Sequence, residues 1–382
     1  MTASASDPVF FDHASTTPLR QEALQAYLRA SREVGNPASL HQLGERARDL
    51  LEEARERCAQ ALGLKPRELL FNSGASEGNT QVLLGLGGAL GTKQLAVSRI
   101  EHSSVVVPAR RLEAQGIPVA WLQPDRAGVV RPGALAEALR RPTGLVSVMY
   151  ANNEIGSVQP VAELAELAHA AGALLHCDMV QCPGVLPVDL SALGADLATF
   201  SAHKFGGPRG VGLLYRRRGI RLPPLILGGE QEDGERAGTQ NPAGALACAV
   251  ALELAVAEQV EVAAQLRQLQ RALLSAIRDL PGLLVNGSPE QGSPKVLSVS
   301  LAGVHGESLL MQLDLMGICA SVGSACAALA MQPSHVLLAL GHSQELARAT
   351  IRFSFGRTNT LAEVERAARA LREAAKSSAL QP

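Results

Sequence analysis

Apolar runs of about five residues alternate with longer amphipathic stretches along much of this chain, the rhythm of strands and helices in successive βαβ units. The runs ELLFN, QLAVS, PVAWL, GLVSVMY, ALLHCD, DLATFS and GVGLLY predict seven strands between about residues 68 and 215. Between them, SEGNTQVLLGLGG, HSSVVVPARRLEAQ and PVAELAELAHAAG read as helices. Strands this apolar, separated by helices, predict a mainly parallel sheet with helices on both faces, the last strand entering in a different direction after residue 204. A helical pattern then runs from 243 to 279, until Pro281 and Gly282 end it, and reads as one long helix bridging to a second unit. That unit would hold the strands KVLSVSL, ICASV and TIRFSF with the helices ESLLMQLDLM and LAEVERAARALREAA. No internal repeat or low-complexity segment interrupts this order.

At 382 residues the chain exceeds what one core usually fills, which predicts a large domain of about 250 residues and a smaller one. The formal net charge is −1, aromatic residues are 3%, and the only basic block is RRRGIR, so a nucleic-acid partner is not expected. MTASASDPVF lacks a signal-peptide pattern, and LLGLGGAL is too short and glycine-rich to span a bilayer. The expectation is a cytoplasmic protein without a membrane partner. Cysteines at 58, 177, 182, 248, 319 and 326 show no C-x-x-C spacing, and Cys58 and Cys248 fall within apolar helical patterns. They read mostly as buried free thiols, with no metal site expected.

Candidate chemistry centres on Lys204, in FSAHKFGGPRG. Lysine is scarce here, and Lys65, Lys93, Lys295 and Lys376 fall in turns or a tail. Lys204 instead follows an apolar run and precedes a glycine-rich turn, a strand end opening into a site. Asp178 ends a second apolar run, so an acid and an amine both lie at carboxyl ends of buried strands, where parallel α/β folds bind ligands. Pyridoxal phosphate requires both, a lysine for its Schiff base and a carboxylate for its ring nitrogen. On this pair alone, a solvated lysine beside a strand-end cap is an equal reading.

Further strand ends carry polar groups. Ser73 to Ser76 open a helix whose free N–H groups suit an anion, although an ordinary capped helix has the same sequence. Asn153 sits at another strand mouth, Gln181 lies three residues beyond Asp178, and Ser201 and His203 flank Lys204. His102 follows QLAVS and is placed to stack on a flat ring or to close a turn.

The order GNPAS, SGASE, EH (101 and 102), NNEIG, D-x-x-Q (178 to 181), SAHK, RAGT, GSAC and IRFSFGR resembles the pyridoxal phosphate-dependent cysteine desulfurases of the class V aminotransferase superfamily, over about residues 9 to 375. SVGSACAALAMQPSHVLLALG is similar to the subgroup with a long cysteine loop. The resemblance implies an α/β fold of type I pyridoxal phosphate enzymes, a seven-stranded large domain plus a smaller α+β domain, and a homodimer. The expected division is 16–260 for the cofactor-binding domain, with 1–15 and 261–382 forming the small domain that carries the cysteine loop.

Carried onto matching positions, the resemblance makes Lys204 the Schiff-base lysine, Asp178 the partner of the pyridine nitrogen, Gln181 a ligand of the ring hydroxyl and His102 the stacking group. Ala75, Ser76, Ser201 and His203 would hold the phosphate, with Thr239 reaching from the other subunit. Asn153 and Arg352 would clamp the substrate carboxylate, and Cys326 would be the nucleophile. The implied reaction converts L-cysteine to L-alanine. Lys204 removes the α-proton, Cys326 takes the sulfur as a persulfide, and His102 handles protons at sulfur. The implied acceptor is an iron-sulfur scaffold protein or transfer-RNA thiolation machinery. A selenocysteine lyase or another class V lyase or aminotransferase would share every cofactor residue. Ala202 and Met179 depart from the family pattern and predict local crowding, Val180 is expected on the ring face opposite His102, and Cys182 reads as either a bystander or a second reactive thiol.

Overall fold

A computed structural model describes residues 7–323 and 332–378. Its strands are β1 (Val9–Phe10), β2 (Leu69–Asn72), β3 (Gln94–Ser98), β4 (Val119–Leu122), β5 (Thr143–Ser147), β6 (Leu174–Asp178), β7 (Leu197–Ser201), β8 (Gly212–Arg216), β9 (Leu283–Asn286), β10 (Val296–Leu301), β11 (Ile318–Cys319) and β12 (Thr350–Ser354). Seven form one sheet in the order β2-β8-β7-β6-β5-β3-β4. Only β8 runs against its neighbours, pairing antiparallel with both β2 and β7. This matches the change of direction expected after Lys204. β3, β6 and β7 are buried almost throughout, because helices cover both faces and no position can alternate towards water.

The helices used below are α1 (Gln21–Ala30), α2 (Gln42–Leu62), α3 (Ala75–Gly87), α4 (Ser103–Ala114), α5 (Pro132–Ala138), α6 (Val161–Ala170), α7 (Leu190–Leu193), α8 (Pro242–Ala257), α9 (Gln259–Ile277) and α10 (Gly306–Leu315). The single helix expected from 243 to 279 is in fact two, α8 and α9, bent by 70° at Glu258. Neither Pro nor Gly marks the break. Tertiary packing decides it: α8 packs on α1 and α2, α9 packs on the helix Leu361–Ser377, and Arg20 holds Glu258 at the bend through two hydrogen bonds of 2.9 and 2.8 Å. Among the described residues no single helix is long and apolar enough to cross a membrane.

A second, antiparallel sheet has the order β12-β10-β9, with α9, α10 and Leu361–Ser377 around it. β9 was absent from the expected strands, and ICASV yields only the two-residue β11, paired in parallel with β1. The apolar cluster here draws Val9 and Phe11 together with Leu266, Val299, Phe353 and Leu371. Phe11 packs edge-on against Phe353 and Phe355, and its carbonyl accepts from Ser354 N–H at 2.7 Å. The N-terminal segment is thereby fastened to the C-terminal part of the chain, and residues 12–16 run across the carboxyl edge of the large sheet.

Candidate functional site

A cavity of about 680 Å³ opens at that carboxyl edge. Its walls come from the ends of β2, β3, β5, β6 and β7, from residues 14–16, and from Arg352 on β12. Lys204, Asp178, Gln181, His102, Asn153, Ala75, Ser76, Ser201, His203 and Arg352 all line it. Residues up to 338 positions apart in sequence, Ala14 and Arg352, meet here; the groups from the large sheet converge because its parallel strands deliver their C-terminal ends to one edge. Thr239 does not line this cavity. It is exposed in a neighbouring groove with Arg236 and Gln240. Cys326 lies outside the described residues.

Each polar group is set by local structure. Lys204, in the turn after β7, donates from Nζ to the carbonyls of Ala14 and Ser15, both at 2.7 Å. Asp178, at the end of β6 and 5% exposed, accepts at Oδ2 from Asn79 Nδ2 (2.8 Å) and at Oδ1 from the Val180 N–H (3.0 Å). Asn79 is itself oriented by Thr199, whose hydroxyl donates to Oδ1 at 2.6 Å, and it donates to Ser104 Oγ at 2.9 Å. His102 caps α4: Nδ1 accepts from the Ser104 N–H at 3.1 Å and meets Ser104 Oγ at 2.8 Å. Burial lowers its pKa, and nearby Asp178 partly opposes the effect. The ring is thus neutral near pH 7, with Nε2 the nitrogen not engaged by Ser104. Behind it, the buried Glu101 accepts the Met149 N–H at 2.7 Å, and burial pushes its carboxyl well up.

Helix α3 begins after Gly74, whose φ of 145° only glycine adopts readily, and no side chain caps it. Its first N–H groups, with Ser76, Ser201 and Arg209, form the polar end of the cavity. His203 nearby meets Thr16 Oγ1 at 3.1 Å and is lowered to about 4 by burial first and Lys204 second. Gln181 donates to Ala14 O at 2.9 Å, leaving its buried Oε1, in the cavity wall, without a partner among the described residues. Arg352 is 1% exposed; its Nη atoms donate to Asn153 O (3.0 Å), Asp12 Oδ1 (2.7 Å) and Ser15 Oγ (2.9 Å), and its Nε has no partner among the described residues.

These features fit pyridoxal phosphate. An anion cradle at a helix N-terminus, an amine, a buried carboxylate and an unpaired amide oxygen share one cavity of suitable size. Sequence reading did not identify Asn79, Thr199 and Ser104, which orient Asp178 and His102, nor Asp12 and Ser15, which hold Arg352. Their residue types carry no signal without the fold. The crowding expected at Met179 and Ala202 is not in the cavity wall: both are fully buried in the core beneath it. Val180 does line the cavity. Cys182 is fully buried and its thiol is pushed well up by burial, which disfavours a reactive thiolate. Lys295 sits in a turn, as expected, yet is only 3% exposed.

Residues 9–367 match the family Aminotransferase class-V, and the chain belongs to it. It is 42% identical over 352 residues to the cysteine desulfurase IscS of Dictyoglomus turgidum, covering 91% of this chain and 89% of the relative. The fold is similar to that of a NifS-like protein (TM-score 0.89, 36% identity, 96% and 98% of the two chains). It is also similar to SspA solved in complex with cysteine (TM-score 0.79, 31% identity, 91% and 98%). Within the family the chain is one of the pyridoxal phosphate-dependent cysteine desulfurases.

Proposed function

We propose that this enzyme takes sulfur from L-cysteine, releases L-alanine, and carries the sulfur on Cys326 as a persulfide for an acceptor protein such as an iron-sulfur scaffold. The observation that carries the reading is the meeting of Lys204, Asp178, His102 and Arg352 in one cavity. When bound, pyridoxal phosphate supplies a ring that accepts the electron pair released at the amino acid's carbon. Ala75, Ser76, Ser201 and His203 hold its phosphate, with Thr239 serving the partner subunit of a homodimer. Gln181 Oε1 would accept from the ring hydroxyl, and the Asp178 side chain, oriented by Asn79 and the Val180 N–H, would face the ring nitrogen. Asn153 and the remaining N–H groups of Arg352 orient the substrate carboxylate.

Lys204 Nζ anchors the cofactor and, once released, takes the α-proton from the substrate. His102 Nε2, neutral at pH 7, accepts a proton at sulfur. The Cys326 thiolate then bonds to the substrate sulfur while the carbon–sulfur bond breaks, its electron pair staying with carbon, where protonation completes alanine. The cytoplasm, where thiols stay reduced, is the compartment that suits this chemistry.

The test uses purified holoenzyme with L-cysteine and a reductant, quantifying alanine and sulfide, then repeats the assay with L-selenocysteine. The two products from cysteine are expected one-to-one, and Cys326→Ser should lower sulfide release by at least about a hundredfold, with no persulfide on any peptide. Normal sulfide release by that variant, or faster release from selenocysteine in a Cys326-independent manner, would establish a lyase instead.

A further inference from the structure

Beneath the cofactor cavity lies a second, small chamber of about 70 Å³ that the reaction above does not use. Its wall contains His13, Arg20, Lys204, Lys295 and Arg357 and, among the described residues, no aspartate or glutamate. Two of these are nearly sequestered from water: Lys295 is 3% and His13 2% exposed. Among the described residues the Lys295 ammonium faces no carboxylate; Nζ donates to the backbone carbonyl of Lys204 at 3.2 Å and has spare donor capacity. Among the described residues neither ring nitrogen of His13 finds a hydrogen-bond partner of proper geometry, although Asn359 and the Phe10 backbone lie near. A Cβ on Gly356 would fall 2.3 Å from the ring, so this glycine lets the imidazole lie against the backbone.

We infer that the chamber is a binding site for a small inorganic monovalent anion of halide size, held by Lys295 and His13 beside Lys204. A buried ammonium without a counter-charge among the described residues is unfavourable, and spare donor capacity facing a chamber calls for an acceptor. The volume suits a small ion or a few waters. Of the other ionisable groups around it, Arg20 is already committed to Glu258, while Arg352, the Cys182 thiol and His203 are near enough to Lys295 to interact with it electrostatically. Lys204 belongs to the walls of both cavities. An occupied chamber therefore places negative charge next to the reactive amine, favouring its protonated form.

Titration follows from the same surroundings. Burial, then Lys204, lowers Lys295 to about 7, and burial, then Lys295, lowers His13 to about 4. Near neutrality, His13 is an uncharged N–H donor and Lys295 loses its proton as pH rises. Anion affinity then falls with it.

The probe is sodium bromide, added to holoenzyme and to protein freed of cofactor. Crystals soaked in it should show an anomalous peak between Lys295 Nζ and the His13 ring. In solution, millimolar bromide should raise the melting temperature saturably at pH 6.5, with apparent affinity roughly twentyfold weaker at pH 8.5. Lys295→Met and His13→Phe should abolish that saturable part while keeping the visible cofactor band. A chamber holding water alone in the soaked crystals, or the same pH-independent bromide response in wild type and Lys295→Met, would overturn the assignment. The crystal result stands even if a variant fails to fold, and neither readout depends on the assigned reaction.

Discussion

A single carboxylate shows how much of this site is secondary positioning. Asp178 is held by the Val180 N–H and by Asn79, which Thr199 and Ser104 orient in turn, so its charge is fixed before any ligand arrives. Pre-set charge needs no rearrangement when electrons move, which makes it effective in a dry cavity. Asp178→Asn should keep the shape and lose the charge. Exchange of the substrate α-hydrogen with deuterated water should slow by about a hundredfold or more, with cofactor still bound. Exchange at the wild-type rate would remove Asp178 from the role proposed for it. Asp178 and Lys204 were legible from the sequence because each ends an apolar run. Asn79 lies inside a helix 99 residues before Asp178, and only the packing of α3 against β6 and β7 joins them.

At the scale of elements, the anion cradle depends on how closely β8 approaches the start of α3. A Cβ at Gly212 would lie 2.5 Å from Gly74 Cα and 2.6 Å from Phe200 O, both backbone atoms that cannot swing away. Gly212→Ala should therefore push β8 from β7 and widen the turn at Gly74. The expected loss is about 1–3 kcal/mol in urea unfolding together with weaker retention of cofactor on dialysis. Unchanged stability and retention would show that the strand absorbs the methyl group. The α8–α9 bend belongs to this scale too. Apolar periodicity continues through Glu258, so local pattern predicts one helix, while packing against α1 and α2 on one side and Leu361–Ser377 on the other breaks it.

For the whole molecule, burial of neutral histidines makes stability depend on pH. His176 is fully buried, bonded through Nδ1 to Ser147 Oγ at 2.8 Å, and lowered to about 3 by burial. Below 6.5 the unfolded chain binds a proton that the folded chain refuses. Stability is thus fully present above about pH 6.5 and is lost as pH falls towards 3, by up to roughly 1.4 kcal/mol per pH unit from this group. Urea midpoints of wild type and His176→Gln, compared between pH 7 and 5, should converge as the pH drops. Parallel profiles would mean that His176 takes up its proton in the folded state.

The sequence by itself determined the strand–helix rhythm, the single reversed strand, and the polar residues at strand ends, because these depend on local periodicity and on what must follow a buried apolar run. Tertiary structure alone decided which distant groups meet. It placed Asp12 and Ser15 on Arg352, ended one helix at Glu258, and buried Lys295, a lysine in a polar turn, beside Lys204. Charge and burial of such groups are set by chain segments tens to hundreds of residues away, and no local pattern encodes that distance.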